Sequence, residues 1–222
     1  MKKTFSFVVA LGLLAGLGFI ADLGFTVAAD GGIGTVWYVA EGGAGTQDGT
    51  NWSNALATIQ EAVDVANPGD TIMVAGEYDA FVLREKSNIS IIGAQGATVT
   101  TTNLYTALPV VGNAWILAAV YGSQNVNIKG INFDGSGVTG RPVAVGIAYV
   151  DSTGRIADVR VENIFATQLV AGVAIIGYAG TPAVEVTGAT ISNNDDAGIY
   201  VCGGSTVEAH FNNTSAIPSV VC

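Results

Sequence analysis

Residues 146–202 read GIAYVDSTGRIADVRVENIFATQLVAGVAIIGYAGTPAVEVTGATISNNDDAGIYVC. One phrase is written three times in this stretch: Gly146-Ile-Ala-Tyr-Val150, Gly172-Val-Ala-Ile-Ile176 and Gly198-Ile-Tyr-Val-Cys202. The glycines stand 26 residues apart both times. A second strand phrase alternates with it, in Val126-Asn-Ile128, Val159-Arg-Val161, Val184-Glu-Val186 and Val207-Glu-Ala209. Turn residues such as NFDGSG (132–137) and SNNDDAG (192–198) separate the two. A repeat of roughly two dozen residues suits one coil of a solenoid, because a single coil buries little and stacked coils share a continuous core. A sandwich would not need the same phrase to return at a fixed interval. A βαβ fold needs helical crossovers, and no amphipathic helix is expected after residue 66.

Working outward toward the N-terminus, TVWYV (35–39) reads as a short strand and is followed by a Gly-rich loop. ALATIQEAVDVA (55–66) places Leu56, Ile59, Val63 and Ala66 on one helical face, with Asn54 as the expected N-cap. Asn67-Pro68-Gly69-Asp70 should stop that helix, and Thr71-Ile72-Met73-Val74 should open the first coil. The stretch WYV…GTNWSNALATIQEAVDVANPGDTIMVAGEY, within residues 37–78, together with NISIIGAQGATV (88–99), resembles the opening segment of many secreted right-handed β-helix proteins. Polysaccharide lyases of the pectate- and alginate-degrading kinds belong to that group. The resemblance implies an all-β fold: a right-handed parallel β-helix solenoid with a short N-terminal capping helix that covers its first coil. Such a cap hides strand edges and core side chains that an open end would expose. Many chemistries share this fold, so the resemblance by itself names no activity.

The expected organisation is a signal peptide at 1–29, an N-terminal strand, loop and capping helix at 30–70, and the β-helix at 71–222. Lys2 and Lys3 supply the positive region, Phe5 to Ala21 the apolar run, and Val27-Ala28-Ala29 the small residues before cleavage near Asp30. The rival reading is a retained anchor, which alone would make a membrane a partner; Asp22 interrupts the run, and its length is marginal for a span. The protein is therefore expected outside the cell or at its surface.

The 222-residue chain carries 8 Lys+Arg against 18 Asp+Glu, a formal charge of −10. Nucleic acid is excluded as an expected partner, because phosphate binding needs clustered cations. Polysaccharide or a cell-envelope glycan is the expected partner, and self-association is the alternative. The one His and two Cys have no metal-ligand spacing. Cys202 and Cys222 stand 20 residues apart, close to one coil, and are candidates for a disulfide between stacked strands.

If the second phrase points its Val and Ile residues inward, two outward columns follow. One reads Asn127, Arg160, Glu185, Glu208; the other reads Lys129, Glu162, Thr187, His210. They gather the bases, the carboxylates and the lone His. Two functions fit them: a polysaccharide-contacting groove with acid–base groups, or a ladder of cross-strand charge pairs. The lyases and epimerases of the resembling group use Lys or Arg as base, often with Ca²⁺. Lys129, Arg141, Arg155 and Arg160 sit in no matching motif, so no catalytic residue carries over; the reading leans to a non-catalytic module, with a self-associating structural surface protein and a polysaccharide lyase or epimerase as its alternatives. Asn193, Asn194, Asp195 and Asp196 could offer oxygens to Ca²⁺; they equally suit a tight turn, as do Asp134 and Asp151. No other cofactor is indicated. Finally, both phases of the Gly-led strand are apolar. One phase holds Ile147/Tyr149, Val173/Ile175 and Ile199/Val201, the other Ala148/Val150, Ala174/Ile176 and Tyr200/Cys202; whichever faces outward calls for a cover: residues 101–114, a second subunit or a membrane surface.

Overall fold

Ile72 pairs with Ile91, Ile91 with Ile128, Ile128 with Ile156 and Ile156 with Val186, each on the next coil of a parallel stack. All five are fully buried. Because register is kept from coil to coil, like side chains stack on like, and each is removed from water for about 1.5–3 kcal/mol. This column belongs to the first of three sheets in a computed structural model that describes residues 34–94, 96–101, 104–108, 112–137, 144–167, 170–210 and 219–221. The expected signal segment lies outside these residues. Among the described residues, no helix is long and apolar enough to cross a membrane.

The first sheet runs Val36–Ala40, Thr71–Ala75, Ser90–Gly93, Val126–Lys129, Gly154–Ala157, Ala183–Thr187 and Thr206–His210. The second runs Glu77–Asp79, Thr98–Thr101, Asn132–Asp134, Arg160–Glu162 and Thr190–Ser192. The third runs Phe81–Arg84, Gly112–Tyr121, Ala144–Val150, Val170–Ile176, Ala197–Cys202 and Ser219–Val221. Every pairing along these sheets is parallel; Tyr105–Leu108 adds one antiparallel strand beside Gly112–Tyr121. The chain is thus an all-β parallel solenoid, with the right hand expected of parallel crossovers. The Gly-led phrase sits where its period puts it, with Ile147 against Val173 and Val173 against Ile199.

Each of the five coils from Thr71 to Cys202 contributes one strand to each sheet, three per coil, where the sequence showed two. Strands of the second sheet are three residues long in four of the five cases. In its middle coils each aims one side chain inward: Phe133, Val161 and Ile191. Corners between coils are held by side-chain bonds. Asn125 Nδ2 donates to Asn88 Oδ1 at 2.9 Å, and Asn163 Nδ2 donates to Asp134 Oδ1 at 2.9 Å. Asn88, Asn125, Asn163 and Asn193 all have positive φ, between 53° and 61°, a region Asn tolerates better than most residues.

The capping helix is Ile59–Val65, shorter than expected, and its N-cap is Thr58 rather than Asn54. Thr58 Oγ1 accepts from the Glu61 N–H, while Glu61 Oε2 accepts from the N–H groups of Ala57 and Thr58. This capping box outcompetes Asn54, which ends a separate short 3-10 turn, Trp52–Asn54. The helix buries Ile59, Ala62 and Val63 on the first coil. Its Gln60 amide accepts from the Val82 N–H at 2.9 Å and donates to the Val82 C=O at 3.1 Å, pairing with the strand edge as a backbone would. Lys86 Nζ donates to the Ala66 C=O at 2.8 Å, beside the helix C-terminus.

The outer edge of the strand Val36–Ala40 is met from Tyr38 to Ala40 by the loop that follows it. Tyr38 donates to Gly49 and accepts from Leu56, and Ala40 donates to Leu56. The outward phase of the Gly-led strands forms a second buried layer with Ala119, Ala148, Val150, Ala174, Ile176, Tyr200 and Cys202. Leu104, from the expected covering segment, packs on that layer. Cys202 is disulfide-bonded. Cys222, the partner the sequence expects for it, lies outside the described residues.

Asp151 shows how a charge can order a corner. Its Oδ1 accepts from the backbone N–H groups of Tyr178, Ala179 and Gly180 at 2.7, 3.0 and 2.9 Å. Burial pushes the carboxyl pKa up, and these three bonds outweigh it, leaving the group below its ordinary value. A group depressed on folding stabilises above its unfolded pKa and loses that contribution as pH falls through the folded value. Asp151→Asn should therefore cost about 1 kcal/mol at neutral pH, after allowing for solvent screening. The gap from the unsubstituted protein should close below about pH 4. Urea unfolding of both proteins across pH 3–7 checks this; a gap that stays constant with pH would refute it.

Candidate functional site

Side chains alternate along each strand of the first sheet, so the residues between the buried ones face outward. Two rows follow from the register. One is Val36, Thr71, Ser90, Asn127, Arg155, Glu185, Glu208; the other is Tyr38, Met73, Ile92, Lys129, Ala157, Thr187, His210. Lys129, Glu185, Glu208 and His210 are placed as the sequence expects. Arg160 and Glu162 are not.

Arg160 and Glu162 belong to the second sheet, paired with Thr190 and Ser192. Their places in the rows are held by Arg155 and Ala157. The misplacement has a local cause. Val159-Arg-Val161 alternates like Val184-Glu-Val186, whereas the true counterpart, Gly154-Arg-Ile-Ala157, begins with Gly where its partners have Val126 and Val184. The backbones there approach so closely that a Cβ on Gly154 would lie 1.8 Å from the Val126 carbonyl oxygen. A glycine forced by packing hid the repeat.

Charges on this face are paired. Arg155 Nη2 lies 3.4 Å from Glu185 Oε1. Its Nε and Nη2 donate to Thr187 Oγ1 at 3.2 and 3.0 Å. Lys129 Nζ lies 3.5 Å from Asp158 Oδ2, at the corner leading to the second sheet. Glu208 and His210 meet at 3.0 Å on the last strand of the first sheet. Arg160 and Glu162 form their own pair, at 3.4 Å, on the second sheet. Exposed pairs of this kind contribute at most about 1 kcal/mol each. Chemically the face offers planar amide, guanidinium and carboxylate groups, one coil apart, set to donate and accept hydrogen bonds.

The Asn193–Asp195 segment bonds to the corner of the preceding coil. Asn193 donates to Asn163, Asn194 Oδ1 accepts from the Ile164 N–H at 3.0 Å, and Asp195 Oδ2 accepts from the Ala166 N–H at 3.3 Å. Asp134 is similarly engaged. Burial raises its pKa, and donors on Asn163 and Ser136 outweigh that and leave it low. Among the described residues, no group of three or more His, Cys, Asp or Glu side chains is placed to hold a metal.

A cleft of about 640 Å³ lies between the capping helix and the first coil, with Glu41, Thr58, Gln60, Glu77, Tyr78 and Asp79 among its lining. The sequence did not reveal it, because its residues come from four separate segments. Two of its carboxylates serve structure: Glu41 Oε2 accepts from the Glu77 N–H at 3.4 Å, and Glu77 Oε1 accepts from Thr100 Oγ1 at 2.7 Å. Tyr78 donates its hydroxyl to the Ala75 carbonyl at 2.7 Å. Burial, reinforced by the charge of Glu41, raises the phenol pKa far above its ordinary value and keeps the group protonated.

No protein-family model matches the chain, and no curated protein matches it in sequence. Among solved structures, a pectin methylesterase mutant in complex with a hexasaccharide is similar over 81% of this chain and 67% of that one, at 8% identity and a TM-score of 0.35. The fold class rests on the strand pairing described above: an all-β parallel solenoid, capped at its N-terminal end by one helix.

Proposed function

We propose that the chain is an exported β-helix module of the cell envelope or extracellular matrix. In this reading it contacts polysaccharide through the outer face of its first sheet, without a cofactor and without catalysis of its own. The observation that carries the reading is the row Asn127, Arg155, Glu185, Glu208. It presents planar hydrogen-bonding side chains on successive coils. Adjacent strands lie about 4.8 Å apart, close to the length of one pyranose unit. A glycan laid across the coils would meet one such group per sugar. Arg155 is held by Glu185 and Thr187, so little rotamer freedom remains to be lost on binding.

The test is a glycan array probed with the protein as exported by an expression host, followed by titration of the best ligand. Arg155→Ala should weaken binding about ten- to a hundredfold, the worth of one charge-assisted hydrogen bond. Arg160→Ala, on the neighbouring sheet, should leave it unchanged. No binding to any glycan, or equal effects of the two substitutions, would sink the proposal.

A further inference from the structure

The same two rows change character toward the N-terminus. Past Lys129 the second row runs Ile92, Met73, Tyr38, all half-buried. Beside it the first row runs Asn127, Ser90, Thr71, with no charge among them. Trp52 closes the end: its ring meets that of Tyr38 edge-on, with centroids 5.0 Å apart, and 41% of the residue remains exposed to solvent.

The Trp52 loop is built to hold that ring in place. Gly49 accepts from Tyr38 and donates to Asn54, and Asn51 Oδ1 accepts from the Ser53 N–H at 2.9 Å. Gly49 has φ +74°, and a Cβ there would strike Trp37 and Leu56. The loop therefore tolerates little else at that position, and the contact with Tyr38 gives the indole a seat on the first strand. A large, fixed, half-exposed aromatic has lost most of its entropy already and binds flat apolar surfaces well.

We infer that Trp52 and Tyr38, with Met73 and Ile92, form a stacking subsite for a neutral polysaccharide of flat, equatorially substituted pyranose rings, and that Thr71, Ser90 and Asn127 serve the hydroxyls along its edge. The inference rests on the preceding proposal that this face contacts glycan, and goes further by naming the ligand class and its anchor. Flat rings of that kind expose apolar C–H faces that pack on an indole, with hydroxyls around the rim. Charge selects against the acidic polysaccharides. The platform itself is uncharged, the two bases further along the face are both paired with carboxylates, and the chain carries −10 overall. A polyuronate would meet repulsion, and among the described residues the Lys and Arg of this face are already paired with carboxylates.

Titration calorimetry on the exported protein tests this with two probes, a hexamer of β-1,4-linked glucose and a hexamer of galacturonate. The neutral hexamer should bind at least tenfold more tightly than the acidic one. Trp52→Ala should weaken it about tenfold, and Trp52→Phe should restore most of the loss, since a ring is kept. Trp52 sits in an exposed loop, and unchanged thermal unfolding of both variants would confirm that they are folded. Neutral binding untouched by Trp52→Ala overturns the inference and leaves the broader glycan reading standing. So does binding of the acidic hexamer or another array glycan in place of the neutral one. Failure of every glycan on the array overturns both.

Discussion

Gly154→Val should destabilise the protein by more than about 4 kcal/mol, enough to abolish soluble expression of a marginally stable domain. The substitution looks conservative, because it installs the residue that both register partners, Val126 and Val184, already have. An alignment of the coils would suggest it as a repair. The geometry opposes it. The first side-chain carbon would lie 1.8 Å from the Val126 carbonyl oxygen and 2.9 Å from the Val126 nitrogen. Both atoms are backbone within the sheet ladder, so neither can swing aside as a side chain could. Gly154 also has φ +156°, which L-residues rarely adopt. Gly96→Ala provides the contrast. Its φ is +82° with nothing within 4 Å of the added carbon, so backbone strain of about 1–2 kcal/mol is the whole cost. Urea midpoints of the two variants measure the difference. A stable Gly154→Val protein would mean that residues 154–157 do not pair as described, and would return Arg160 to the face where Arg155 now sits.

How far the sequence could be read follows from the same residue. Period and amphipathicity revealed the first and third sheets, because Val126-Asn-Ile128 and Gly146-Ile-Ala-Tyr-Val150 are long enough to show an alternation or a repeated phrase. Asn132–Asp134, Arg160–Glu162 and Thr190–Ser192 are three residues each, and one inward side chain has no period. Of the Asn ladder at the corners only Asn193 was read, as turn chemistry or a cation ligand, since its bonds join residues about 30 positions apart. The outer face was legible in its ends, Lys129 and the Glu185, Glu208 and His210 group. Its centre was lost because Gly154 is set by backbone contact with another coil, which no local pattern records. The Trp52–Tyr38 pair was missed for a related reason: a loop folds back over the edge of the first strand.

Asp70→Ala should cost about 4 kcal/mol and loosen the whole N-terminal cap. Asp70 lies in the Pro-Gly-Asp-Thr-Ile stretch and is 4% exposed, a rare degree of burial for a carboxylate. Its Oδ1 accepts from the Thr35 N–H at 2.7 Å; its Oδ2 accepts from Trp37 Nε1 and the Asn67 N–H, both at 2.9 Å. One side chain thus ties the first strand, the turn after the capping helix and the start of the first coil. Hydrogen bonds to a charged acceptor contribute about 1.5–3 kcal/mol each, and removing the acceptor leaves an indole N–H and two backbone N–H groups without it in a largely buried site. Asp70→Asn should recover little. The site presents donors to both oxygens, so an amide must turn its own NH₂ toward an N–H on one side. We expect it to fall within about 1–2 kcal/mol of the alanine variant. Hydrogen exchange separates this from a diffuse loss of stability. Amides of Trp37–Ala40 and of the Ile59–Val65 helix should exchange faster in Asp70→Ala, while those of Ala144–Val150, several coils away, keep most of their protection. Uniform acceleration in all three segments would mean that the cap and the solenoid unfold as one unit, and that Asp70 is not a local fastener.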